Sequence, residues 1–323
     1  MGNLAKNKGS DSKQVVLESA PVETILKDGL MRGDRALSGV TPVLTHLIAS
    51  TGNSLVSDAI VARLRGMLSD IAQQLVGVDT SEDNQQDSNL VDAFSDVLST
   101  DSAVLSHCYA LAIEAQLTQR LESRAGIDPI LSPLMQELIA SNHASISALA
   151  MQTLAAQSRF VQAQRRMQLP MLELPAELLH AVMQRWEAFN KRRPDPVVSH
   201  SVVKLQKDFD EGISRAGLLA RLVSALGGGA AATLELDHAG MALFTSGLSA
   251  KAQLPRELAI ISCHQRQAAR LALTLRAAGL GEAAIERQFL LIEPDERFPE
   301  GLEEISVQSA QALLKRSDAS TGR

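Results

Sequence analysis

Apolar side chains in this chain recur every three to four positions and almost nowhere alternate. Between 54 and 76, Val56, Ile60, Leu64, Met67, Ile71 and Leu75 line up with Asp58, Arg63, Arg65, Asp70 and Gln73 between them. That is a single apolar stripe on an otherwise polar helix, with Ser54 as a capping residue. Alternating runs of Val, Ile, Thr and aromatics, which a half-buried strand needs, do not occur. Leu and Ala carry the apolar content instead, and both favour helix. A chain of 45% hydrophobic and 3% aromatic residues therefore reads as all-α. The expected architecture is stacked helical hairpins or a short α-solenoid in two helical subdomains.

The punctuation divides the chain. Residues 1–20 open on a polar, charged stretch over 1–13 and read as a disordered tail. An N-terminal helical subdomain is expected over 21–190, opening with two short helices before 50. Within it, 77–89 (GVDTSEDNQQDSN) is acidic and aperiodic and reads as a mobile loop. Helices are expected over 102–122, from Pro133 through Leu138, over 143–167 and from Pro175 onward. The stretch 190–196 (NKRRPDP) holds two prolines that a helix cannot cross, and marks a boundary. The C-terminal subdomain, 197–315, should hold helices at 197–211, 215–226, 230–247, 255–278, 281–292 and 301–315, with 316–323 as a frayed tail. Leu47-Ile48-Ala49-Ser50 recurs as Leu138-Ile139-Ala140-Ser141, a faint internal echo.

Thirty-one basic against thirty-seven acidic residues give a formal charge of −6, which disfavours a dedicated nucleic-acid coat. Two cysteines support neither a disulfide framework nor a cysteine-based zinc site. Residues 1–13 lack an apolar signal-peptide core, and Lys6 stands where a myristoylation motif wants Ser or Thr. The charge-free stretch 138–158 is long enough to span a bilayer, but Asn142, His143, Gln152, Thr153 and Gln157 interrupt it. No transmembrane segment is expected, and the cytoplasm is the expected compartment.

Residues 212–294 run from a helix and short loop into ALFTSGLS, then LPRELAIISC, then LALTLRAAGL. This segment resembles an uncharacterised family of bacterial helical proteins with HEAT-like repeats, known only as a domain of unknown function. The resemblance covers about a quarter of the chain and rests on packing motifs. It implies a cytoplasmic helical-repeat protein in a regulatory or scaffolding role, and supplies no catalytic residue.

Chemical motifs are sparse. The seven histidines, His46, His107, His143, His180, His200, His238 and His264, form no pair at helical spacing. Glu235 and His238 are three apart, but no second Glu-x-x-His supports a metal site, so no metal or cofactor is expected. His107-Cys108 and Cys263-His264 are adjacent, and neighbours on a helix point about 100° apart, so neither makes an activated dyad. Gly227 to Gly229 follow a helix and lack the ending of a phosphate loop. Basic residues cluster at two helix ends: Arg159, Arg165 and Arg166, then Arg185, Lys191, Arg192 and Arg193. They are the candidate partner-binding residues. Arg266 and Arg270, one turn apart, could form a small external stripe, but pairing with the acidic segment 282–304 is the expectation.

The sequence favours a non-catalytic cytoplasmic adaptor or regulator that binds a protein partner, because amphipathic helices in array expose grooves suited to other helices. One alternative is an enzyme assembled from distant residues, with His107, Glu114, Glu235 and His238 the first suspects. Another is electrostatic binding of nucleic acid or anionic membrane through the basic residues. An adaptor should show a groove with exposed apolar side chains and no buried titratable cluster. An enzyme should bring His and carboxylate groups into one pocket.

Overall fold

The computed structural model describes residues 22–49, 57–77, 85–193, 200–264, 267–299 and 301–321. Among them are fifteen α-helices and no strand. The protein is all-α. The helices are α1 (Val22–Ser38), α2 (Val40–Ala49), α3 (Asp58–Val76), α4 (Gln85–Ser99), α5 (Ser102–Ala125), α6 (Pro133–Ile139), α7 (Ala144–Arg165) and α8 (Ala176–Lys191). They continue as α9 (His200–Asp208), α10 (Arg215–Ala225), α11 (Leu236–Ala252), α12 (Arg256–Ser262), α13 (Ala268–Ala277), α14 (Glu282–Ile292) and α15 (Val307–Thr321). No single helix among the described residues is long and apolar enough to cross a membrane.

Local chemistry sets several of these boundaries. The Asp101 carboxylate accepts the Ala103 and Val104 N–H groups at 2.9 and 3.1 Å, capping α5. Ser132 and Ser214 cap α6 and α10 in the same way, through Met135 and Gly217. Gly240 sits inside α11 at φ 71°, ψ 162°, a conformation essentially reserved for glycine. A Cβ there would lie 2.9 Å from the Ser132 Cβ, so the kink lets α11 approach the start of α6.

The structure departs from the sequence-based expectations at several places. The acidic loop expected over 77–89 is shorter, because 85–89 already belong to α4, and 78–84 lie outside the described residues. Leu90, Val91, Phe94 and Leu98 are buried at helical spacing against α3, and that packing extends the helix back through its polar first turn. The helix expected over 230–247 starts at Leu236, after a 3-10 stretch (Gly227–Leu234) that opens at φ 52° on Gly227. The helix expected over 255–278 is two helices: α12 tightens into i→i−3 bonds at Cys263 and His264, and Gln267 donates to the Gly33 carbonyl of α1 at 3.1 Å. The C-terminal tail expected to fray from 316 is helical to Thr321, held by the buried Ser317. The tail expected over 1–20 and the prolines of the 190–196 boundary lie outside the described residues.

Elements from either side of that boundary share one apolar core. Helix α1 packs on α13 and α15, α7 on α10, and α5 on α11, α12 and α14. Aliphatic side chains and alanines dominate this core, with Phe94, Trp186 and Phe189 forming a small aromatic cluster in the first half. Asp34 and Arg270 are ion-paired across α1 and α13. Ser317 of α15 joins them, donating to Asp34 at 2.6 Å and accepting from Arg270 at 2.7 Å.

Candidate functional site

Helix α5 carries two titratable residues on one face. His107 and Glu114 are seven positions apart, two helical turns, and both are buried. Opposite them, α12 begins with Arg256 and Glu257. The result is a seam with two ionic contacts. His107 Nδ1 lies 3.2 Å from Glu257 Oε1, and the Arg256 guanidinium donates twice to the Glu114 carboxylate, at 3.1 and 2.7 Å.

Glu114 holds a second guanidinium as well. Arg215, the first residue of α10, forks onto the same carboxylate, donates to Gln157 Oε1 at 2.6 Å and stacks 4.0 Å over the Phe160 ring. Glu114 and Arg215 are each 3% exposed. Burial alone would push the Glu114 carboxyl up, but Arg215 and Arg256 together hold it well below the usual carboxylate range. Burial lowers the Arg215 guanidinium, and the Glu114 charge opposes that fall. Arg256 also donates to the Thr245 and Ser246 hydroxyls at 3.1 Å each, and the backbone N–H of Arg215 donates to Glu173 at 2.7 Å. The node thus ties α5 and α7 to α10, α11 and α12.

Two concavities adjoin this framework, and a third lies on another face. The first, of about 310 Å³, lies between α3, α5, α7 and α10 and has Arg215 and Glu114 in its lining with Arg63, Gln164 and Arg165. The second, of about 600 Å³, has His107 and Glu257 in its lining with Thr41, Ser106 and Leu258. The His107 Nε2 there is buried without a hydrogen-bond partner among the described residues. The third, of about 690 Å³, is a groove between α1, the start of α13 and residues 296–299. Its lining includes Ile25, Gly29, Ala268, Ala269 and Phe298, with Arg32 and Arg297 at its edge, and Ile25 is 53% exposed.

The basic residues singled out from the sequence are dispersed. Arg159 and Arg166 line a shallow cleft of about 480 Å³ with Asp70 and Gln74, whereas Arg165 lines the cavity beside Arg215. Arg185 is ion-paired with Asp101, and Lys191 lies 3.5 Å from Glu187 on its own helix. Arg192 and Arg193 follow the end of α8. Of the four catalytic suspects, His107 and Glu114 share the α5 seam. Glu235 and His238 sit elsewhere: His238 contacts Glu137 at 3.0 Å, and Glu235 faces Arg287 at 3.8 Å. Arg266 lies outside the described residues, and Arg270 pairs with Asp34. Among the described residues no cluster of His, Cys, Asp and Glu is placed to hold a metal ion. Both thiols are buried, and burial pushes each up to about 12.

The expectation that an adaptor would bury no titratable cluster fails at Glu114. Sequence reasoning missed Arg215, Arg256 and Glu257, because their partners lie 101, 142 and 150 positions away. The available signal was a carboxylate in the middle of the most apolar helix, which a folded chain must neutralise.

Compared with known proteins, the chain matches no protein-family model, no curated protein and no solved structure.

Proposed function

We propose that the chain is a non-catalytic adaptor or regulator whose α1–α13 groove receives an acidic amphipathic helix of a protein partner. The observation that carries this reading is the exposed Ile25 beside a small-residue floor. A Cβ on Gly29 would come within 2.8 Å of the Ala269 Cβ, so α1 and α13 are in close contact there. Ile25 and Phe298 supply apolar walls, and Arg32 adds a guanidinium to the lining. The Arg32 guanidinium favours an acidic residue flanking the apolar face of the incoming helix. A regulatory role within a HEAT-like family is part of the same proposal.

The Glu114 group argues for structure over catalysis, whereas His107 and Glu257 line one cavity in the manner that the enzyme reading expects. The Glu114 oxygens receive four hydrogen bonds from Arg215 and Arg256, which leaves this carboxylate little capacity for proton transfer. The test uses a fluorescein-labelled model helix with leucines at i, i+3, i+4 and i+7 and glutamates on the opposite face. Its fluorescence anisotropy should rise saturably with the protein, and Ile25→Asp should abolish the rise. Equal binding of a lysine-faced control, or binding unaffected by I25D, contradicts the reading.

A further inference from the structure

We infer that the cavity between α3, α5, α7 and α10 binds a small organic carboxylate that also carries a hydrogen-bond donor. Three guanidiniums, Arg63, Arg165 and Arg215, line the space together with two carboxylates, Glu114 and Glu122. Three less two leaves one positive charge in excess. At its inner wall Arg215 is buried, and beside it an anion is held more strongly than at the open surface.

The buried cation keeps donors in hand. A guanidinium has five N–H donors. Arg215 spends three, one on Gln157 and two on Glu114, so five less three leaves two without an acceptor among the described residues. Glu114 occupies the edge between the two terminal nitrogens and Gln157 takes the Nε–H, so each remaining N–H can offer a ligand carboxylate one hydrogen bond. On the same wall, Gln164 is almost wholly buried, with its Nε2 bonded to the Gln168 carbonyl at 2.9 Å. Its Oε1 is buried and has no partner among the described residues, an acceptor that a ligand hydroxyl or amine would satisfy.

Size and lining narrow the class. A volume of about 310 Å³ falls at the lower end of ligand sites. Phe160, Val161 and Ala115 provide apolar wall between the polar groups. The fit is therefore a short carboxylate with an apolar body and a donor at its far end. This site is distinct from the α1–α13 groove, and each can fail without the other.

The test is isothermal titration calorimetry on the full chain with three probes: 4-hydroxybenzoate, its neutral analogue 4-hydroxybenzamide, and inorganic phosphate. Saturable binding of 4-hydroxybenzoate is expected, with the amide at least about tenfold weaker because the charged partner is lost. Ala115→Phe, which fills the cavity without touching a charge, should abolish binding, and Gln164→Met should weaken it about tenfold by removing the acceptor. Arg165→Ala, at an exposed position, should weaken it while circular dichroism stays unchanged, and serves if A115F fails to fold. Absence of saturable 4-hydroxybenzoate binding, equal binding of the amide, phosphate binding in place of the carboxylate, or affinity unchanged in both Q164M and R165A overturns the inference.

Discussion

Glu114 of α5 and Arg256 of α12 hold each other by two parallel hydrogen bonds across 142 positions of sequence. Arg215 completes the node from a third helix. Removing the carboxylate would leave two guanidiniums facing each other, Arg215 at 3% and Arg256 at 15% side-chain exposure. Breaking one side of a buried ionic group costs roughly 3–5 kcal/mol. Glu114→Ala should therefore lower the unfolding free energy by about that much, read from urea unfolding at neutral pH.

The same carboxylate should shape the acid limb of stability. Glu114 in the folded chain stays ionised below its ordinary value of 4.5. On unfolding it regains that value, so below it the unfolded chain binds the extra proton and stability falls with pH. Above pH 4.5 the contribution is fully present. Glu114→Gln should thus be most destabilised relative to wild type near neutral pH. The gap should narrow as urea unfolding is repeated toward about pH 3. A gap that widens in acid contradicts this assignment.

Gly240→Ala tests the kink in α11. The substitution forces a side chain into φ 71°, ψ 162° and toward the Ser132 Cβ. A loss of about 2 kcal/mol or more is expected. The shift in thermal midpoint on circular dichroism measures it. Gly281→Ala, where an added Cβ meets nothing within 4 Å and φ is −78°, should change little.

Asp34→Ala probes the junction of α1, α13 and α15. It deletes the carboxylate that bonds both Arg270 and Ser317. Destabilisation of about 3 kcal/mol is expected, because Arg270 is 2% exposed and loses the Asp34 carboxylate. Hydrogen exchange should show α1 and α15 losing protection together. Loss confined to α1 would separate the two helices.

Much of the helical framework was readable from spacing. The apolar stripe of α3, the prolines that open α6 and α8, and the continuous apolar surface of α5 each act over one or two turns, and local chemistry decides them. Helix α4 was harder, because its polar first turn resembles a loop and its stripe at 90, 91, 94 and 98 is short. The break between α12 and α13 was not readable at all. It depends on Gln267 reaching the Gly33 carbonyl, 234 positions away. The Glu114 node and the α1–α13 groove share that character. Periodicity ranks faces within a helix but does not say which distant helix will cover them.

Both proposed binding sites are therefore built from the two halves of the chain. The groove joins α1 to α13, and the cavity joins α3, α5 and α7 to α10. If the shared core is what holds these sites, the halves must unfold as one unit. Each half carries one cysteine, Cys108 and Cys263, and each thiol is fully buried. Pulsed alkylation across a urea series, read by mass spectrometry at each cysteine, measures this directly. The account predicts coincident midpoints for Cys108 and Cys263, matching the loss of helix by circular dichroism. Separate midpoints, with one thiol reacting while the other stays protected, would contradict it.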